Sequence, residues 1–132
     1  MQYKNVFLKP SIFLGAVFFC HLASALGLGE INPQSELNEP LRASIEILGS
    51  EGMDENELKV MLASQQDFDR LGVSRDFLLT TLRFEVDLGA QPSVIRISTD
   101  KVVQEPFLNF VLEVQTPQTR MLKEFTILLD PR

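Results

Sequence analysis

The segment from Lys101 to Asp130 constrains the fold of this chain most. Leu108, Phe110, Leu112 and Val114 recur with period two, which places them on one face of a β-strand. Phe107, Asn109, Val111 and Glu113 share the other face, which is mixed in character. Pro106 has no N–H for a ladder and belongs at the start of that strand or just outside it. Thr116-Pro117-Gln118-Thr119 is a turn, with Pro117 presetting the first central position. The chain then returns from Met121 to Asp130, with Phe125, Ile127 and Leu129 on one face and Lys123, Thr126 and Asp130 less buried. A hairpin follows, and periodicity alone shows no more than two core strands of a β domain.

The N-terminus reads as a secretory signal peptide over residues 1–25. Lys4 and Lys9 supply a positive start, Ile12 to Phe19 an apolar centre, and Ala23-Ser24-Ala25 a small-residue cleavage pattern with the cut before Leu26. The apolar run to Leu28 contains His21 and is short against the roughly 20 residues of a spanning helix, so cleavage is preferred to a retained anchor. Cys20 follows Val17-Phe18-Phe19, which lacks the small residue that lipidation requires.

Cleavage changes the chemistry of what remains. The chain carries 12 basic and 18 acidic residues, and loss of Lys4 and Lys9 leaves 10 against 18, a net charge of −8. Cys20, His21 and Tyr3, each the sole residue of its type, all precede the cut. The expected mature domain, 26–132, therefore has no disulfide, no imidazole and no thiolate, and needs no cofactor or metal. Its acidity disfavours nucleic acid and anionic lipid as partners. About a hundred residues suffice for one unstapled core.

The remaining segments predict short strands separated by turns. Leu26 to Ile31 is glycine-punctuated and suits a short edge strand. Asn32-Pro33-Gln34-Ser35 and Asn38-Glu39-Pro40 are turn signals, and Leu41 to Leu48 alternates cleanly. Asp54 to Ala63 reads two ways: Asp54-Glu55-Asn56-Glu57 looks like an acidic helix start, while Leu58, Val60 and Leu62 alternate as a strand. A strand over 58–63 is preferred. Ser64 should cap a short helix from Gln65 to Leu71 ended by Gly72, and Ser74 a second through Leu79. Phe68, Leu71, Phe77 and Leu78 are the expected anchors of this insertion. Thr81 to Leu88 places Leu82, Phe84, Val86 and Leu88 inward, and Val94 to Ser98 returns antiparallel with Ile95 and Ile97 inward. The expected class is mainly β, an antiparallel β-sandwich-like domain with a short helical insertion.

Catalysis has few materials in this set. Acidic residues are scattered at outward strand phases or in loops and read as solvated surface. Asp54-Glu55-Asn56-Glu57 lacks the glycine and spacing of a calcium loop, and no lysine-bearing helix follows Gly27-Leu28-Gly29. Asn109, a strand amide, is expected to make a structural hydrogen bond before any ligand contact. Gln104-Glu105-Pro106 reads first as a corner leading into the strand and second as a contact site.

Residue order says more than periodicity. Val103-Gln104-Glu105-Pro106-Phe107-Leu108-Asn109-Phe110, Leu122-Lys123-Glu124-Phe125-Thr126 and Leu128-Leu129-Asp130-Pro131 resemble the N-terminal periplasmic domain of the FimV/HubP family. Leu26 to Ile31, Ser35, Leu37-Asn38, Pro40 to Ala43 and Ile45-Glu46 are similar to that family's opening motif. Leu62-Ala63-Ser64, Phe68, Leu71-Gly72, Arg83-Phe84-Glu85 and Val94-Ile95-Arg96 are similar to its middle. Glu39 stands where glutamine is common in the family.

The resemblance implies a periplasmic domain of a protein for type IV pilus assembly, twitching motility or cell-pole organisation. Family members continue into a LysM peptidoglycan-binding module, a membrane helix and an acidic cytoplasmic region. This chain stops at Arg132, about where the family's linker begins, so none of those functions carries over to its residues. The family supplies no catalytic or ligand residue to transfer. The expectation is thus a non-enzymatic interaction module with envelope or pilus-assembly proteins as partners. A peptidoglycan- or carbohydrate-binding domain is the alternative, weakened by the lack of Trp and Tyr after residue 25. A carboxylate hydrolase ranks third.

Overall fold

The computed structural model describes residues 26–131. The expected signal peptide over 1–25, with Ala23 and Ala25 as its expected cleavage residues, lies outside them. Two antiparallel sheets make up the domain. The larger takes β1 (Gly27–Pro33), β2 (Glu39–Leu48), β4 (Arg83–Asp87) and β5 (Val94–Val103) in the order β1-β2-β5-β4. The smaller takes β3 (Lys59–Leu62), β6 (Phe107–Gln115) and β7 (Arg120–Leu128) in the order β3-β6-β7. One helix, α1 (Gln65–Leu71), and two 3-10 turns, Glu55–Glu57 and Phe77–Thr81, complete it. A mainly β sandwich with a short helical insertion is thus the architecture.

Alternation fills the space between the sheets. Leu41, Ala43, Ile45 and Ile47 of β2 and Ile95, Ile97 and Val103 of β5 face Leu108, Phe110, Leu112 and Val114 of β6 and Phe125 and Ile127 of β7, all buried. Phe110 and Phe125 are direct cross-strand partners, with ring centroids 5.9 Å apart and planes tilted by 32°. At one rim Lys123 lays its stem along the sheet and donates from Nζ to the Leu28 carbonyl at 2.8 Å, tying β7 to β1.

Most predicted elements stand where the periodicity puts them, and several differ for physical reasons. β5 runs on past Ser98 to Val103 because the Thr99 hydroxyl fills a break in its pairing with β2. That hydroxyl accepts from the Leu41 N–H at 2.9 Å and donates to the Lys101 carbonyl at 2.8 Å. Both readings of Asp54 to Ala63 are realised in succession. Asp54 and Glu57 close a reciprocal capping box around one 3-10 turn, and β3 follows at once.

α1 is capped by Ser64 and ended by Gly72 at φ 74°, the left-handed conformation that glycine adopts without strain. The second helix differs from expectation. It is a 3-10 turn that starts after Asp76, and Ser74 donates its hydroxyl to Asp76 Oδ1 at 2.9 Å instead of capping a helix. Arg75 holds the intervening loop extended, donating from Nε to the Ala63 carbonyl at 3.0 Å while its guanidinium sits 5.7 Å from the Phe68 ring centre. Phe68, Val73 and Leu79 therefore anchor the insertion, whereas Leu71 and Phe77 are exposed, Phe77 by 83%.

Candidate interaction groove

Side-chain parity on β6 determines what the insertion covers. The inward set (Leu108, Phe110, Leu112, Val114) is core, so Phe107, Asn109, Val111, Glu113 and Gln115 lie on the outer face of the smaller sheet. α1 crosses half of that face. Beneath it Val111 is fully buried and Glu113 is only 6% exposed, on the face that reads from the sequence as mixed in character.

An ion network fastens α1 there. Arg120 of β7 donates from Nε to Glu113 Oε2 at 3.0 Å and from the same guanidinium to Asp67 of α1. Arg70 adds a bond to Asp67 Oδ1 at 2.9 Å, and the Ser64 hydroxyl donates to Asp67 Oδ2 at 3.0 Å. The Gln115 amide donates to Glu113 as well. Asp67 and Glu113 were read from the sequence among the solvated acids, and both are buried instead.

Their protonation follows from this setting. Burial works to raise the Asp67 carboxyl, but the Ser64 hydrogen bond and the charges of Arg120 and Arg70 outweigh it, so the group titrates below its usual range. The Arg120 hydrogen bond is the main reason that Glu113 also titrates low, against the opposing pull of burial. Arg120 is raised in return, first by its bond to Glu113. Acid catalysis by a carboxyl pair needs one member held protonated near neutral pH. Here both stay ionised and enclosed, which suits a structural clamp.

The other half of the outer face stays uncovered and leads into a groove of about 580 Å³. One wall is the loop and 3-10 turn, through Val73, Ser74, Asp76, Leu78 and Leu79. The opposite wall is the β5–β6 corner and the start of β6, through Val102, Gln104, Glu105, Phe107, Leu108 and Asn109. Large apolar side chains stand open to solvent around it: Phe107 is 55% exposed and Val102 49%. Phe77 is adjacent in sequence to two wall residues, and Leu128 lies opposite Phe107 in the strand pairing. Gln104 and Glu105, read from the sequence as a corner and a secondary contact site, meet Asn109 here. Asn109 accepts at Oδ1 from the Thr126 hydroxyl at 3.2 Å, the structural bond expected of a strand amide, while also lining the groove.

A second cleft, at the loops around Gly49 to Gly52 and Gln91 to Ser93, has a volume of about 430 Å³ and offers no exposed aromatic anchor. Among the described residues no three His, Cys, Asp or Glu side chains group as metal ligands. No helix among them is long and apolar enough to cross a membrane.

Comparison with known proteins agrees with this architecture. Residues 26–132 match the family model of the FimV N-terminal domain, described as an Ig-like domain. The chain is 43% identical over 125 residues to the Motility hub protein FimV of Pseudomonas aeruginosa strain PAO1, and equally to that of strain UCBPP-PA14. Each match takes in 94% of this chain but only 14% of the relative. No solved structure matches the chain. With the family model matching essentially every described residue, the chain belongs to the family of FimV N-terminal Ig-like domains.

Proposed function

We propose that this chain is a non-enzymatic protein-interaction module of the bacterial periplasm, serving pilus assembly, twitching motility or cell-pole organisation. The observation that carries the reading is the groove with exposed Phe107 and Val102 in its walls, on an otherwise well-filled sandwich, with exposed Phe77 next in sequence to wall residues Asp76 and Leu78. Large apolar side chains left exposed at a groove mark interaction sites. The motility role rests on family membership, because the P. aeruginosa relatives are motility hub proteins. Location in the periplasm rests on the Ala23-Ser24-Ala25 pattern at the end of residues 1–25. Cofactor-free operation rests on the lack of Cys and His after residue 25.

The test is photo-crosslinking in cells from positions 77 and 107, beside binding of the purified chain to peptidoglycan sacculi. Crosslinks to an envelope protein are expected. Saturable sacculus binding without protein crosslinks would replace this reading by the peptidoglycan-binding alternative. Mass spectrometry of the periplasmic fraction should find a chain starting at Leu26. Full-length chain in the inner membrane would reject the cleavage reading.

A further inference from the structure

Where β3 stops, a stretch of β6 loses its neighbour. β3 pairs with β6 only from Lys59 opposite Gln115 to Leu62 opposite Leu112. A last bond runs from the Ala63 N–H to the Val111 carbonyl at 3.0 Å. Ser64 then caps α1 and the chain leaves the sheet, returning as Val73 to Leu79 on the far wall of the groove.

Backbone alternation shows which groups are left over. Val111 turns its carbonyl toward β3, so Asn109 and Phe107, two and four residues back, turn their N–H and C=O groups to the same side. Leu108 and Phe110 turn theirs to β7, and the Pro106 carbonyl, in the same phase, accepts from the Leu129 N–H at 2.8 Å. No described strand pairs with β6 on the Phe107 and Asn109 side. Two backbone donors and two acceptors therefore face the groove, in line with the end of β3.

We propose that this groove takes up an extended segment of a partner protein as an added strand, antiparallel to β6 and continuing the line of β3. This rests on the interaction reading above and names its mode and partner chemistry. Strand addition draws affinity from main-chain bonds and selectivity from the pockets that alternate side chains meet. Val73, Leu78, Leu79, Val102 and Phe107 call for apolar side chains in one phase. Asp76 and Glu105, both exposed, are the charged residues of the lining, which holds no Lys or Arg. The segment is accordingly apolar with at least one arginine or lysine. A second copy of this chain is disfavoured as occupant, since its own open edge lies between the same two acids.

The test selects from a displayed library of random eight-residue peptides on the full chain, then measures the enriched peptides by fluorescence anisotropy. Alternating apolar peptides bearing arginine or lysine should be enriched. Asp76→Lys with Glu105→Lys should weaken them tenfold or more. N-methylation of alternate peptide residues should abolish binding in one phase and spare it in the other, because only one phase donates to β6. Asn109→Pro removes an edge N–H without touching the ladder to β7 and should also abolish binding. Val102→Ser, at the exposed rim, gives a second variant with no backbone demand and should weaken it.

Failure to enrich any peptide, enrichment of acidic peptides, equal loss in both methylation phases, or concentration-dependent dimerisation that blocks the groove would each overturn strand addition. Crosslinks from positions 77 and 107 that persist while peptide binding shows no phase dependence would overturn it and leave the interaction reading standing. Loss of crosslinks together with unselective peptide recovery would overturn both.

Discussion

The two faces of β6 obey different rules. Inward, Leu108, Phe110, Leu112 and Val114 meet apolar side chains from three other strands, and every position is closed. Outward, five residues of the same strand are treated in three ways. Val111 is sealed by α1, Glu113 is buried but ion-paired, and Phe107 is left to solvent. The inner face is dictated by the sandwich, where any gap costs dispersion and hydration free energy together. The outer face is dictated by where one short helix lies, and where it does not lie, apolar surface remains open. The closed core and the open apolar surface are thus separated across the thickness of a single strand.

The largest expected effect tests the inner face. Phe110→Asp places a charge against Phe125 with no partner for it and should cost more than about 5 kcal/mol, enough to unfold a domain of ordinary stability. Loss of the cooperative melt and of the β-type far-ultraviolet circular dichroism spectrum is the readout. Retention of both would mean that this face is not the core.

Phe68→Ala probes the joint between the faces. Phe68 is fully buried and is α1's principal anchor. Its truncation should cost about 3–5 kcal/mol. Chemical denaturation measures the loss, and hydrogen exchange should show α1 opening before the strands do.

How much of this was legible in the sequence follows the same division. Strands β2, β6 and β7 were readable because two sheets enforce period two on whatever lies between them. Glu113 was not, since both its phase and its chemistry read as solvent. What buries it is α1, and what pays for that burial is Arg120, whose other partner Asp67 is 53 residues away in sequence. The acidic residues looked alike until the fold placed two of them under a helix. The groove was half legible. Gln104, Glu105 and Asn109 were singled out separately, and the Ser64 cap marked where β3 must end. The signal that could have joined them was length: four residues of β3 cannot cover nine of β6. Phe77 misled because an aromatic residue beside a helix start reads as an anchor, while neighbouring Leu79 fills that role.

Acid should expose the ion network. Asp67 and Glu113 titrate lower folded than unfolded, so the stability they contribute is complete above the ordinary carboxylate range near 4 and is lost as pH falls through their lowered values. Arg120→Gln removes the main cause of the Glu113 depression and part of that of Asp67. The variant should be less stable than the parent at neutral pH. The difference should shrink as pH falls below the ordinary carboxylate range and through the lowered values of Asp67 and Glu113, where the parent loses the same contribution. Thermal melts across that range decide it, and a difference independent of pH would show that Arg120 acts through packing alone.

The smallest expected effect makes the sharpest contrast. Phe77→Ser removes as large an aromatic side chain as Phe68→Ala does, from a site nine residues further along the same insertion. Because Phe77 is 83% exposed, little apolar area returns to water when it is lost. The stability change should stay within about 0.5 kcal/mol, as for surface substitutions generally. Equal melting of parent and variant, with weaker partner crosslinking from position 107, would show that the open face is kept apolar for contact and not for folding. A large destabilisation would place Phe77 among the anchors, as its sequence suggested, and would remove it from the exposed apolar surface that the interaction reading uses.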